Sequence, residues 1–184
     1  MITTNPSSPV FRKRFEALEQ RERLKKACAW AGISHGRSLV YEQYISEFEA
    51  DKRQSRKHLL AFHESLEVCE IHELWVNEVE RFPGLKAKIS VVLEEGPVLQ
   101  HDENLDSSSN KARNNAFTYL LAGRLIASGI EVLTVDGIRR EGQSVEWKGD
   151  ITIQQAGEPL DVQCKRLQKE SSLINRVKEA RNQI

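Results

Sequence analysis

Apolar positions change their period once along this chain. From Val10 to Phe82 they recur at helical spacing. The stretch VFRKRFEALEQRERLKKACAWAG puts Phe11, Phe15 and Leu18 on one stripe, with Gly32 as the stop signal. Glu22 and Lys26 stand four apart in the favourable order, adding a few tenths of a kcal/mol. SLVYEQYISEFEADK predicts a second helix. SRKHLLAFHESLEVCEIHELWVNEVERF predicts a third, with Leu59, Phe62, Leu66, Cys69 and Val76 as its apolar face and Phe82-Pro83-Gly84 as its end. KAKISVVLEE suits either a short helix or a strand. HDENLDSSSN is polar and turn-forming, and reads as a linker.

Beyond the linker the pattern becomes mixed. KARNNAFTYLLAGRLIASG is helical, with Phe117, Leu121 and Leu125 at four-residue spacing, serines and Asn110 before it as caps, and Gly129 at its end. IEVLTVDG reads as a buried strand. A turn near Glu141-Gly142, a strand SVEWKGDITIQQ, a turn at Ala156-Gly157 and a strand PLDVQCKRL follow. SSLINRVKEARNQI then reads as a final helix, striped by Leu173, Val177, Ala180 and Ile184. The expected class is α+β: a helical region over residues 1–100, then a core over 107–184 of helix, three-strand antiparallel meander and helix.

Composition changes this picture little. The 184 residues suffice for one ordinary domain or a small domain with a helical attachment, and 39% apolar with 29% charged residues is a normal globular balance. No apolar run reaches membrane-spanning length and no signal-peptide pattern opens the chain, so a cytoplasmic protein with no membrane partner is expected. Cys28, Cys69 and Cys164 read as reduced thiols. The formal charge is zero, but it is unevenly spread. Lys165–Ile184 holds six basic against two acidic residues, and Phe11–Lys26 holds seven against three. These are either solvated helix faces or local phosphate contacts.

The sharpest chemistry lies in GDITIQQAGEPLDVQCKRL. A hairpin centred on Ala156-Gly157 pairs Asp150 with Gln163, Ile151 with Val162 and Ile153 with Leu160. Lys165 then shares a face with Asp150 and Gln163. Opposed side chains stand roughly 4.5–5.5 Å apart at Cβ, and diagonal ones roughly 7–8 Å. The spacing alone is equally the pattern of an ordinary charge pair on a wet sheet face.

Gly149-Asp150 followed a dozen residues later by Gln163-Cys164-Lys165-Arg166-Leu167 resembles the PD-(D/E)XK nuclease superfamily, the restriction-endonuclease-like fold. ARNNAFTYLLAGRLIASGIEV is similar to the family's leading helix and first strand, and SLINRVKEARNQI to its post-motif helix. The resemblance covers roughly Ser109–Ile184. It implies a Mg²⁺ (or Mn²⁺) site held by Asp150, Gln163 and the Cys164 backbone carbonyl. It implies that Lys165 orients the attacking water or neutralises the scissile phosphate. Asp150, Gln163 and Lys165 are thus the expected catalytic set, and Arg166, Lys169 and Arg113 the expected nucleic-acid contacts. The implied activity is metal-dependent endonucleolytic cleavage of DNA.

Two positions depart from the family. Gln163 replaces the usual second acid, and a unit charge near a cation is worth roughly 4 kcal/mol at 4 Å and an effective dielectric of 20. Thr118 follows Phe117 where the family often carries Glu. Asp161 shares the motif face and pairs near Thr152, where edge solvation explains it better than compensation for the missing acids does. The sequence also ends inside the final helix, where the family adds a strand; this implies a minimal version, a fragment, or a sheet completed by a partner or a second copy. The competing readings are a catalytically silent nuclease-like domain that binds DNA or protein, and a helical interaction protein whose sheet is only structural. His63, Cys69 and His72 lack zinc-finger spacing. Trp30, Trp75 and Trp147 read as packing residues, with Trp147 also near enough to Asp150 to stack a base.

Overall fold

The computed structural model describes residues 9–50, 55–99, 111–146 and 149–164, and within them side chains from Leu18 onward. Helices α1 (Pro9–Ala31), α2 (Arg37–Glu49), α3 (Arg56–Trp75), α4 (Leu85–Glu94) and α5 (Lys111–Ala127) precede four strands. These are β1 (Val132–Val135), β2 (Ile138–Arg139), β3 (Ile151–Gln155) and β4 (Glu158–Val162). They form one sheet in the order β2-β1-β3-β4, each strand antiparallel to its neighbour. The class is α+β, as expected. The final helix expected from SSLINRVKEARNQI, and the whole HDENLDSSSN linker, lie outside the described residues.

Both glycine stops are present. Gly32 and Gly129 have φ of +69° and +81°, and the N–H groups of Ile33 and Ile130 donate back to the carbonyls of Cys28 (2.9 Å) and Leu125 (3.0 Å). This left-handed closure satisfies carbonyls that the helix end would leave orphaned.

The third helix ends earlier than its pattern predicts. The chain leaves α3 after Trp75 and passes through a single 3-10 turn at Val79–Arg81. Phe82 comes back edge-on to the Trp75 ring, with centroids 5.6 Å apart, so burying the two aromatics together competes with continuing the helix. Its apolar face is also rotated. Leu59 is 59% exposed and Val76 37%, whereas Ala61, Ser65, Val68 and Cys69 are buried. In α5 the Phe117, Leu121 and Leu125 stripe is only half-buried, and Ala112, Ala116, Tyr119 and Ala122 face the core. The reason is close helix packing: a Cβ at Gly123 would stand 2.8 Å from Leu74 Cβ of α3. Small residues let the two helices approach, which displaces the leucines to the flanks. KAKISVVLEE proves helical, because Leu85, Ile89, Val92 and Leu93 form one buried stripe of α4.

The strands also differ from expectation in detail. Among the described residues of SVEWKGDITIQQ, the strand begins at Ile151. An additional hairpin turns at Asp136-Gly137, with φ of +48° and +76°, and adds β2 outside β1. The three longer strands still follow the expected meander.

One cluster of buried side chains runs from Leu24 through Trp75 and Tyr119 to Ile153, so helices and sheet share a core. Within it Arg113 of α5 is 3% exposed and ion-pairs with Glu64 of α3, itself 9% exposed. The same guanidinium donates to Tyr41 Oη of α2 (2.9 Å), to the Val98 carbonyl (3.0 Å) and to the Pro97 carbonyl (3.3 Å). A buried charge is tolerated only when so many partners replace its water.

Truncating one member of such a pair strands the other. Arg113→Ala should lower stability by about 3–5 kcal/mol, whereas Arg113→Met combined with Glu64→Leu should recover most of that loss. Urea unfolding followed by circular dichroism measures both.

Candidate active site

Asp150 is placed by the β3–β4 hairpin. Ala156 and Gly157 have φ of +50° and +91°, the two consecutive positive angles of a tight hairpin turn. The observed pairs are Ile151–Val162, Thr152–Asp161, Ile153–Leu160, Gln154–Pro159 and Gln155–Glu158. This is the register expected from the sequence. One step further it sets Gln163 opposite Asp150, and the Cys164 N–H donates to Asp150 Oδ2 at 2.6 Å. The carboxylate is therefore fixed against the backbone of the motif strand. Gly149 is required by the same closeness: a Cβ there would meet the Val162 carbonyl oxygen at 3.0 Å and Asp161 Cβ at 3.1 Å.

The hairpin has two unlike faces. Val132, Ile153 and Leu160 are aligned on one, as are Val135, Ile151 and Val162. The other carries a hydroxyl chain in which Thr134 donates to Thr152 (2.8 Å) and Thr152 donates to Asp161 Oδ1 (2.6 Å). Asp161 thus accepts from the sheet's own threonine.

A second carboxylate joins Asp150, and sequence reasoning missed it. The Asp136 N–H donates to the Asp150 carbonyl at 2.7 Å. Its Oδ2 accepts from Tyr119 Oη of α5 (2.8 Å) and from Lys88 Nζ of α4 (2.9 Å), and Lys88 also donates to the Asp136 carbonyl (2.7 Å). Lys88, Asp136, Gly137, Gly149 and Asp150 line one cavity of about 320 Å³. Burial, followed by the Asp136 hydrogen bond and charge, pushes the Tyr119 hydroxyl far above its ordinary value, which makes it a fixed neutral donor. An Asp-Gly pair between strand-like stretches is itself a hairpin signal, and would have placed Asp136 at this turn.

The expected residues are thus brought together in part. The Cys164 N–H, not its carbonyl, meets Asp150, and the β3–β4 register carried one step further sets Gln163 opposite Asp150. Lys165, Arg166, Lys169 and Trp147 lie outside the described residues. Arg113 is a correction: its guanidinium is enclosed and spent on Glu64, Tyr41 and two carbonyls, so it has no surface to offer a phosphate. Thr118 is buried, with its hydroxyl directed at the Asn114 carbonyl at 3.4 Å. Cys69 is buried and accepts from Gln20, and His72 packs edge-on to Trp30 with centroids 5.4 Å apart.

Two carboxylates, Asp136 and Asp150, line this one cavity, and the Cys164 backbone lies against the second. That chemistry suits a hard divalent cation, which is held by one or two carboxylates and completes its shell with water or phosphate. Among the described residues no three His, Cys, Asp or Glu side chains gather as a ready ligand group, and no helix there is long and apolar enough to cross a membrane. Comparison of the chain with family models, with curated proteins and with solved structures returns no match.

The thiols lie outside this chemistry. Burial pushes Cys28 up to about 12 and Cys69 up to about 11 from an ordinary 9.0. A thiol with a raised native pKa stabilises the fold fully below its unfolded value and ceases to do so as pH climbs through the native one. Stability should therefore fall between pH 9 and about 11–12, and Cys28→Ala with Cys69→Ala should flatten that fall. At pH 8, iodoacetamide should label Cys28 and Cys69 only after unfolding, which intact-mass spectrometry reads directly.

Proposed function

We propose that this chain is a nuclease-like domain that hydrolyses phosphodiester bonds of DNA with a divalent cation, Mg²⁺ or Mn²⁺. The reading rests on one observation above others, the β3–β4 register that fastens the Asp150 carboxylate to the Cys164 backbone with Gln163 opposite. Asp150 is the principal anionic ligand, the Gln163 amide and Cys164 carbonyl are neutral oxygen donors, and Asp136 brings a second carboxylate to the same cavity. When bound, the cation supplies positive charge against the scissile phosphate. Lys165 follows directly in sequence and supplies the ammonium that faces the phosphate. Lys88, at the cavity wall, holds Asp136 in place through two hydrogen bonds. Arg166 and Lys169 follow in the basic stretch Lys165–Ile184 and position the backbone without reading bases.

A second reading is favoured by the same hydrogen bond. A carboxylate that accepts from a strand N–H can serve as a hook that closes the hairpin, and with Gln163 in place of an acid the domain would bind DNA or a protein partner without cutting it. A sheet completed by a partner or a second copy belongs to this reading.

Plasmid nicking separates the two. With Mg²⁺ or Mn²⁺ the wild type should convert supercoiled to open-circular DNA. Lys165→Ala should lower the rate about 100-fold or more, and Asp150→Ala or chelation should abolish it. Equal cutting by wild type and Asp150→Ala would sink the enzyme reading. No cutting beside salt-dependent DNA binding would establish the silent one.

A further inference from the structure

A groove between α4 and α5 adjoins the candidate site. Its volume is about 750 Å³, inside the range of roughly 300–1,000 Å³ in which proteins take small organic ligands. Lys88 and Asp136 border both this groove and the cavity at Asp150, so the two spaces meet along that ion pair. Val91, Val92 and Ala112 give the groove an apolar lining, and Val91 is 46% exposed there. Lys111, in the first turn of α5, is exposed and forms no ion pair among the described residues. Asn115 lies one turn further along the same helix and has no side-chain hydrogen bond among them. Glu95 also lines the groove and offers an acceptor.

These features match the parts of one nucleotide. A base has two apolar faces, which suit the valine and alanine walls. Its edge carries donors and acceptors, and an asparagine amide pairs with the adenine N6/N7 edge. A linking phosphate needs a nearby cation, which the exposed Lys111 supplies. A base still stacked and paired in a duplex could not enter between two helices, because its neighbours would strike both walls.

We infer that the α4–α5 groove seats a single unpaired nucleotide of the strand whose neighbouring phosphate reaches Asp150. The inference rests on nucleic acid being the ligand of that site, but not on its cleavage. Single-stranded or flipped nucleic acid is then the substrate class, with adenine preferred at the groove position.

Fluorescence anisotropy with the full chain tests this, using a fluorescein-labelled deoxyadenylate tetranucleotide in EDTA so that no cutting intervenes. The wild type should bind it, and should prefer it to the thymidylate tetranucleotide. Lys111→Glu should weaken binding about tenfold or more, and Asn115→Ala should erase the base preference. Val91→Glu, at an exposed position, should block the groove, with the melting temperature of each variant confirming that it remains folded. Unchanged binding in all three variants would overturn the inference. So would tighter binding to a duplex of the same sequence, or adenosine monophosphate binding as tightly as the tetranucleotide. Groove binding by a protein that never nicks plasmid would leave the inference standing while removing the catalytic one.

Discussion

A guanidinium carried into the interior at the start of α5 sets the terms for the rest of the molecule. Arg113 cannot be hydrated where it lies, so every hydrogen bond it makes inside is obligatory. Those bonds go to α2 through Tyr41, to α3 through Glu64, and to the segment after α4 through the Pro97 and Val98 carbonyls. Tyr41 Oη in turn lies 2.5 Å from the Val98 carbonyl and 3.1 Å from Glu64 Oε2. Apolar contacts alone would hold α5 loosely at this end, because apart from Tyr119 the apolar part of its buried face is alanine and glycine. The ion pair removes that freedom. A charged group is therefore what gives a smooth helix its position.

That position matters because α5 carries the next link. Trp75 Nε1 donates to the Tyr119 carbonyl at 2.9 Å, pinning the middle of α5 to α3. Tyr119 then presents its hydroxyl to Asp136, and Asp136 reaches through its own N–H to the backbone of Asp150. Lys88 closes the arrangement from α4. The helical region is thus the support of the sheet end where the carboxylates meet, and a disturbance at Glu64 would be felt at Asp136 through contiguous bonded groups. Rigid support of this kind separates two acids poised at a cavity from two acids on a mobile surface turn.

Much of the hairpin was legible in the sequence, for a simple reason. Alternation of Ile151, Ile153, Leu160 and Val162 about Ala156-Gly157 permits one register, since a slip of one residue would turn the apolar set to the wrong face. Helix stops at Gly32 and Gly129 were legible because a left-handed residue is a local requirement. The faces of α3 and α5 were not. Large apolar residues there mark the flanks, while alanine, serine and glycine mark the close contacts, and periodicity weighted by hydrophobicity finds the wrong ones. The burial of Arg113 was hidden because its partners are 49 and 72 residues away in the chain, and nothing local distinguishes an enclosed arginine from a surface one. Asp136 was overlooked because the motif drew attention to one hairpin when two meet.

The presence of Asp136 changes how Gln163 is weighed. Considered alone in the motif, the amide is a deficit of one negative charge beside a cation. In the cavity the count differs, because Asp136 and Asp150 are both there and, among the described residues that line it, Lys88 is the one cation that offsets them. A third carboxylate opposite Asp150 would add repulsion of roughly 4 kcal/mol for each like pair near 4 Å at an effective dielectric of 20. In the absence of a cation that repulsion would act directly on a short hairpin whose β4 is largely exposed. An amide offers the same oxygen without the repulsion. Both hydrogen bonds to the Asp136 carboxylate go to Oδ2, and the Cys164 bond to Asp150 also goes to Oδ2. Among the described residues each acid is thus held by one oxygen, an arrangement that orients the carboxylate. On the proposed reading, two oriented acids and a neutral oxygen make the donor set that a small hard cation requires, and the glutamine relocates the second charge to Asp136 instead of deleting it.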